Sequence, residues 1–301
     1  MLMKKILFVF AALAVLASCQ KEQALQPDTP QTPEVGKLKM NLTLDVVSKV
    51  SDAAFDNGDK VGVYVVRYRN TTSPGTLAAT GNLYDNVMHT YSTTWTTAQD
   101  MYWQDKVTPS DFYCYHPYGS PSNVTAYPFA TKQDQTLIAN YKASDFVWGK
   151  AAGIAPTTEL INISTNHIMS NAVIYVKPGK GFTAETFASA DIKVGVRNVM
   201  YNSLINLSTG KATATGSMGE VKPYKENDHY RAVIVPQTVA AGSQLIVVTV
   251  NGVEYALKKG FTFVAGKQHK FTVTVNKTGS GVNVGVGDWE EDTEDNGGDA
   301  E

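Results

Sequence analysis

The chain is poor in nearly everything that marks an enzyme or a nucleic-acid binder. Of 301 residues only two are cysteine, Cys19 and Cys114. The five histidines, His89, His116, His167, His229 and His269, are dispersed, and none stands at the short spacing that lets two imidazoles share a metal. No Gly-x-Ser-x-Gly elbow, phosphate loop or dinucleotide glycine pattern occurs, and Gly179-Lys180-Gly181 lacks a following Ser or Thr for magnesium. Carboxylates such as Asp111 and Asp145 are numerous enough to assemble a pair in space, but no spacing selects one. The expectation is therefore no catalytic residue, no metal and no cofactor. Lys+Arg total 26 against Asp+Glu 28, so there is no broad basic field to release counterions, and nucleic acid is not an expected partner.

Long apolar runs are also missing. The uninterrupted run Ile6 to Ala17 falls short of the roughly 20 residues a spanning helix needs, and it follows the basic start Met1 to Lys5. It ends in Leu16-Ala17-Ser18-Cys19, with small residues before a thiol. This is the pattern of a lipoprotein signal: residues 1–18 are cleaved, and Cys19 is the expected lipid attachment site. One acyl chain holds a protein marginally and two or more hold it stably, at about 0.8 kcal/mol per buried CH₂. The mature chain is thus expected at a membrane through lipid alone. With Cys19 committed to lipid, Cys114 has no disulfide partner in the chain, and Phe112-Tyr113-Cys114-Tyr115 reads as a buried strand with a small apolar thiol.

Residues 19–37 contain Pro27, Pro30 and Pro33 and few apolar side chains, which suits an extended lipidated tether. Periodicity then changes. Leu38, Met40, Leu42, Leu44 and Val46 alternate with polar residues, placing five apolar side chains on one face of a strand. Asp56-Asn57-Gly58-Asp59 reads as a turn before Val61 to Tyr68, and strand-like runs separated by Gly, Asn, Asp, Ser and Pro continue to Asn276. The second half supplies Leu160–Ile163, Ala172–Val176, Ile192–Val196, Ala232–Val235, Leu245–Val250, Val253–Leu257 and Lys270–Val275. Helical periodicity is nearly absent, the best candidate being Thr183 to Ser189. The absence of βαβ alternation predicts an all-β chain of two tandem antiparallel β-sandwiches, residues 38–157 and 158–289. Residues 290–301 form an acidic tail with the composition of a disordered segment. Tyr102, Trp103, Phe112, Tyr113, Tyr115 and Tyr118 crowd one stretch; such rings can stack on sugars, but sandwich cores consume aromatics first.

Several phrases in this order resemble the fimbrillin family of Bacteroidetes lipoproteins. They are Phe55-Asp56-Asn57-Gly58-Asp59-Lys60-Val61-Gly62-Val63-Tyr64, Tyr102-Trp103, Asp111-Phe112-Tyr113-Cys114-Tyr115-His116-Pro117-Tyr118 and Ser144-Asp145-Phe146-Val147-Trp148-Gly149. His167-Ile168-Met169-Ser170, Ile234-Val235-Pro236-Gln237-Thr238 and Ala265-Gly266-Lys267-Gln268-His269-Lys270-Phe271 follow. Each also has a structural reading as turn, strand stop or seam, with His167 satisfying polar groups near a domain seam.

The resemblance implies two transthyretin-like domains and a role in fimbrium assembly or anchoring, with other fimbrial subunits as partners. It further implies assembly in which proteolysis removes the first strand and a neighbour's strand fills the groove. On that logic Leu38, Met40, Leu42, Leu44 and Val46 form the displaced strand, and Val282, Val284 and Val286 a candidate donor. Shaft subunits of the family are matured by an arginine-specific protease. This chain has no arginine before Arg67, so Lys49 is the candidate cleavage position. The alternative is a permanently lipid-anchored surface protein that serves as fimbrial anchor or glycan-binding module, its host or glycan ligand unidentified. Cys19-Gln20-Lys21-Glu22 partly resembles an acidic surface-export signal, carried here by a single glutamate, so the expectation is an outer-membrane lipoprotein on the exposed face, with retention on the periplasmic side as the alternative.

Overall fold

The computed structural model describes residues 37–46, 55–278 and 281–286. Its first half contains β1 (Asn41–Val46), β2 (Lys60–Arg67), β3 (Tyr84–Ser92), β4 (Thr94–Thr97), β5 (Ser110–His116), β6 (Tyr127–Ala130), α1 (Ile138–Lys142), β7 (Val147–Ile154) and β8 (Leu160–His167). The second half contains β9 (Ser170–Pro178), α2 (Ala184–Ala188), β10 (Ile192–Asn206), β11 (Lys211–Val221), β12 (Tyr224–Glu226) and β13 (His229–Ile234). It ends with β14 (Gln237–Val239), β15 (Gln244–Val250), β16 (Val253–Lys258), β17 (Phe261–Phe263), β18 (Gln268–Thr278) and β19 (Gly281–Val286). The chain is all-β, as its alternation predicts. The second helix falls within the expected Thr183–Ser189, started by Thr183 Oγ1 accepting from the Thr186 N–H at 3.2 Å.

The first half forms one seven-stranded sheet in the order β1-β8-β7-β5-β2-β3-β4. It curls until its two edges meet, where the Trp95 indole on β4 donates to the Leu44 carbonyl on β1 at 3.0 Å. Inside the curl lie Val61, Val63 and Val65 of β2, Phe112 and Cys114 of β5, Ile161 and Ile163 of β8, and Met101 and Trp103. The opposite face of β2 and β5 carries Tyr64, Val66, Tyr113 and Tyr115, which pack with Phe146, Ile205, Leu207 and Val233 in a second core shared with the other half. That double burial is why β2 reads as a continuous apolar run and β1 does not.

The second half packs sheet β11-β10-β15-β16 against sheet β12-β13-β9-β18-β19 over a core that includes Ile174, Val196, Ile246 and Val273. The ladders are antiparallel except for two parallel pairs, β1 with β8 and β9 with β18.

The division expected between residues 157 and 158 needs correction. Leu160–His167 pairs with β1 and β7, so the chain leaves the first sheet only after His167. The two halves also interlock: β6 leaves the first sheet and pairs with Asn202–Ile205 of β10. Residues 155–159, where the division is expected, are the β7–β8 connection inside one sheet.

Candidate functional site

The region of interest is the edge of the first sheet, where β1 lies in a groove. Its parallel ladder with β8 runs from Asn41↔Leu160 to Val46↔Thr165. On the other flank Leu38–Met40 meets the segment before β5: Met40 N–H donates to the Met101 carbonyl at 2.8 Å, and Trp103 N–H donates to the Leu38 carbonyl at 2.9 Å. The alternation of the sequence is realised unequally. Met40 and Leu44 are buried at 4% and 3% exposure, Leu38 and Leu42 pack half-buried on the same core, and Val46 is half-buried. Full apolar burial thus comes from two side chains, not five, at about 1.5 to 3 kcal/mol each.

Two further side-chain bonds join β1 to its surroundings. Asn41 Nδ2 donates to the Thr158 carbonyl at 2.9 Å, and Thr165 Oγ1 donates to the Asp45 carbonyl at 3.1 Å. Lys39 pairs with Asp100 at 2.5 Å. Their hydrogen bond raises the ammonium pKa and lowers that of the carboxyl, but both groups are half-exposed, so water screens most of the gain.

Of the other residues singled out by sequence, Cys19 and Lys49 lie outside the described residues. Val282, Val284 and Val286 fall in β19, which pairs antiparallel with β18 in the register Lys277↔Val282, Val275↔Val284 and Val273↔Val286. The structure therefore places the candidate donor at an edge of the second half, paired with its own chain.

Cys114 is buried at 1% exposure, and desolvation pushes its thiol pKa well above the usual range, against a smaller hydrogen-bond contribution from the Gly149 backbone. Trp103 and Phe112 are buried inside the first sheet and Tyr113 and Tyr115 in the core shared by the two halves, while Tyr118 is exposed. Asp111 is held by Lys150 at 2.9 Å and by the Gly153 N–H at 2.8 Å. Asp145 accepts from His167 at 2.5 Å, at the point where the chain passes between sheets. Both carboxylates thus have structural partners. Among the described residues, no group of three His, Cys, Asp or Glu side chains could hold a metal ion.

Sequence reasoning missed Trp95 and Thr165. A lone Trp in the Thr-rich stretch Thr93–Thr97 is a weak signal, because its role exists only once the sheet edges meet.

The comparisons with known proteins agree with this architecture. The chain is 24% identical over 306 residues to a curated Bacteroides uniformis protein described as a candidate fimbrium subunit, Fim1C, spanning 95% of this chain and 96% of the relative. A crystal structure titled as a candidate cell adhesion protein of Bacteroides uniformis superposes with a TM-score of 0.62 at 20% identity, covering 86% of this chain and all of the other. A Bacteroides ovatus structure under a similar title gives a TM-score of 0.63 at 13% identity, covering 83% and 96%. At these identities the two structures bear on the fold alone. The profile of a prokaryotic membrane lipoprotein lipid attachment site matches residues 3–20, which contain Cys19. The profile described as fimbrillin-like matches residues 48–289, beginning two positions beyond the end of β1, and by that match the chain belongs to the fimbrillin-like family.

Proposed function

We propose that this chain is a structural subunit or accessory component of fimbriae, exported as an outer-membrane lipoprotein acylated at Cys19 and joined to other fimbrial subunits by β-strand addition. The observation that carries this reading is the state of β1. It is an edge strand, its ladder runs to β8 alone, and Leu44, with Met40 just before the strand, plugs a core built chiefly by β2, β5 and β8 together with Met101 and Trp103. Strands β8 to β4 pair with one another without it. Removal of β1 would uncover Ile161, Ile163, Met101 and Trp103 along a slot whose edge hydrogen-bonding groups favour another strand.

Cleavage at Lys49, between β1 and β2, would free β1 while leaving the rest of the sheet continuous. Val282, Val284 and Val286 are the proposed donor positions: their alternation repeats that of Leu42, Leu44 and Val46.

A second reading is favoured by one observation, the lack of any arginine between β1 and Arg67. A chain that escapes arginine-specific maturation keeps β1 and its lipid, and would act as a fimbrial anchor or glycan-binding surface lipoprotein.

Mass spectrometry of the protein from native outer membrane separates the two. A mature N-terminus at Val50 supports polymerisation, and an intact acylated Cys19 supports anchoring. Protease shaving of intact cells tests surface exposure, since an inward-facing protein survives it.

A further inference from the structure

The main chain of β1 is gripped from both flanks by groups that ignore its side chains. In a strand the core-facing residues send N–H and C=O to one flank, and the outward residues send theirs to the other. The core-facing set obeys this rule: the Leu38 carbonyl accepts from Trp103 N–H, Met40 N–H donates to the Met101 carbonyl, and the Leu44 carbonyl accepts from Trp95 Nε1 at 3.0 Å. The outward-facing Asp45 turns its carbonyl the opposite way, onto Thr165 Oγ1 at 3.1 Å.

At the end of β1 marked by Leu44 and Asp45, side-chain donors thus extend the hold on the strand. On the β4 flank, where no ladder joins β4 to β1, the indole N–H takes the place of a backbone amide. The indole is fixed by Phe55, edge-on at 4.8 Å, and by Tyr91 at 5.2 Å. Thr165 is buried at 1% exposure, so its hydroxyl has little alternative partner in water.

We infer that Trp95 and Thr165 recognise the backbone of whichever strand fills this groove, and that the groove otherwise selects for two apolar side chains four residues apart, at the places of Met40 and Leu44. The inference rests on the strand-addition reading above, and the incoming strand belongs to a second copy of this chain. Val282 and Val286 carry the same four-residue spacing. The outward positions of the occupant equivalent to Thr43 and Asp45 are then free to vary, because Trp95 and Thr165 meet only carbonyl oxygens, whereas the outward Asn41 adds a side-chain bond to the Thr158 carbonyl.

The test uses the full chain with a site-specific protease sequence inserted between Val46 and Phe55. After cutting, release of the fluorescently labelled N-terminal fragment is followed under an excess of synthetic Leu38–Val46 peptide. Trp95→Phe, which keeps a ring and removes the donor, is expected to speed release about tenfold, as for one neutral hydrogen bond whose acceptor stays desolvated. Thr165→Val, isosteric and free of ring-packing effects, is expected to act in the same direction. Challenger peptides altered at the positions of Thr43 and Asp45 should exchange at similar rates, and one with Leu44→Asp should not enter. Exchange in the unmodified groove with no change in either variant would overturn the role of Trp95 and Thr165 while leaving strand addition intact. No exchange with any peptide in the unmodified groove would overturn both.

Discussion

The side-chain amide of Gln135 holds both main-chain groups of Val233: Nε2 donates to the carbonyl at 2.8 Å and Oε1 accepts from the N–H at 2.8 Å. It stands where a neighbouring strand would stand, beyond the end of the short β12–β13 ladder. Gln135 is fully buried and belongs to the β5–β7 connection of the first half, whereas Val233 is in β13 of the second. The same connection pairs β6 with β10 and bonds Thr131 N–H to the Tyr201 carbonyl at 2.9 Å and Lys222 N–H to the Gln133 carbonyl at 2.7 Å. It straps the two halves together.

Gln135→Leu preserves volume and apolar contact but leaves the Val233 N–H and C=O buried without partners. Each such group costs about 1 to 3 kcal/mol, so a loss of about 2 to 5 kcal/mol is expected. Urea unfolding followed by tryptophan fluorescence and far-ultraviolet circular dichroism should show coincident transitions in the parent chain, since strap and shared core couple the halves. The variant should have a lower midpoint.

The buried His89 makes stability fall on the acid side. Burial lowers its pKa from the ordinary 6.5, against an opposing hydrogen bond to the Val87 carbonyl. That carbonyl only accepts, so Nδ1 carries the proton and Nε2 is the site left to titrate. Below pH 6.5 the unfolded chain binds a proton that the folded chain refuses, and stability drops with pH until the folded pKa is passed. His269, also lowered by burial and by Lys267, acts in the same direction. Urea midpoints between pH 7 and pH 5 should decline, and His89→Asn should flatten the slope.

Cys114 should be silent in the folded chain. Its buried thiol, with the thiolate disfavoured by desolvation, reacts only when the first sheet opens. Modification by a thiol-specific reagent at pH 8 is expected to be slower than in urea by roughly a thousandfold or more, following the global unfolding equilibrium. Fast labelling of native protein would contradict the packing described here.

Much of this fold is legible along the chain where burial follows local periodicity. Leu38 to Val46 announces an edge strand because one face alone is apolar, and Thr183 marks its helix through a side chain that caps within three residues. Asn57-Gly58 reads as a turn because Gly58 adopts φ +98°, and its N–H bonds to the Tyr91 carbonyl at 2.8 Å. What periodicity cannot show is which distant strand lies alongside. Leu160–His167 looks like the start of a new domain until β1, about 120 residues earlier in sequence, is seen beside it. Lys211–Val221 carries no strand signal because its Ala, Thr, Ser and Gly residues lack an apolar face, although it forms the longest ladder among the described residues, with β10. Trp95, Thr165 and Gln135 act on main-chain groups of remote strands, so their side-chain types carry no local trace of the role.

The central claim, that β1 is a replaceable plug, is tested most directly by locking it in place. Thr43 and Asn162 are register partners across the parallel β1–β8 pair and lie outside the buried core, so T43C with N162C offers a disulfide at little packing cost. Fimbriae are then assembled from the doubly substituted chain under oxidising and reducing conditions and counted by electron microscopy. The account predicts that the oxidised chain folds but does not polymerise and that reduction restores fibres. Fibres of normal length from the oxidised, cross-linked chain would contradict it.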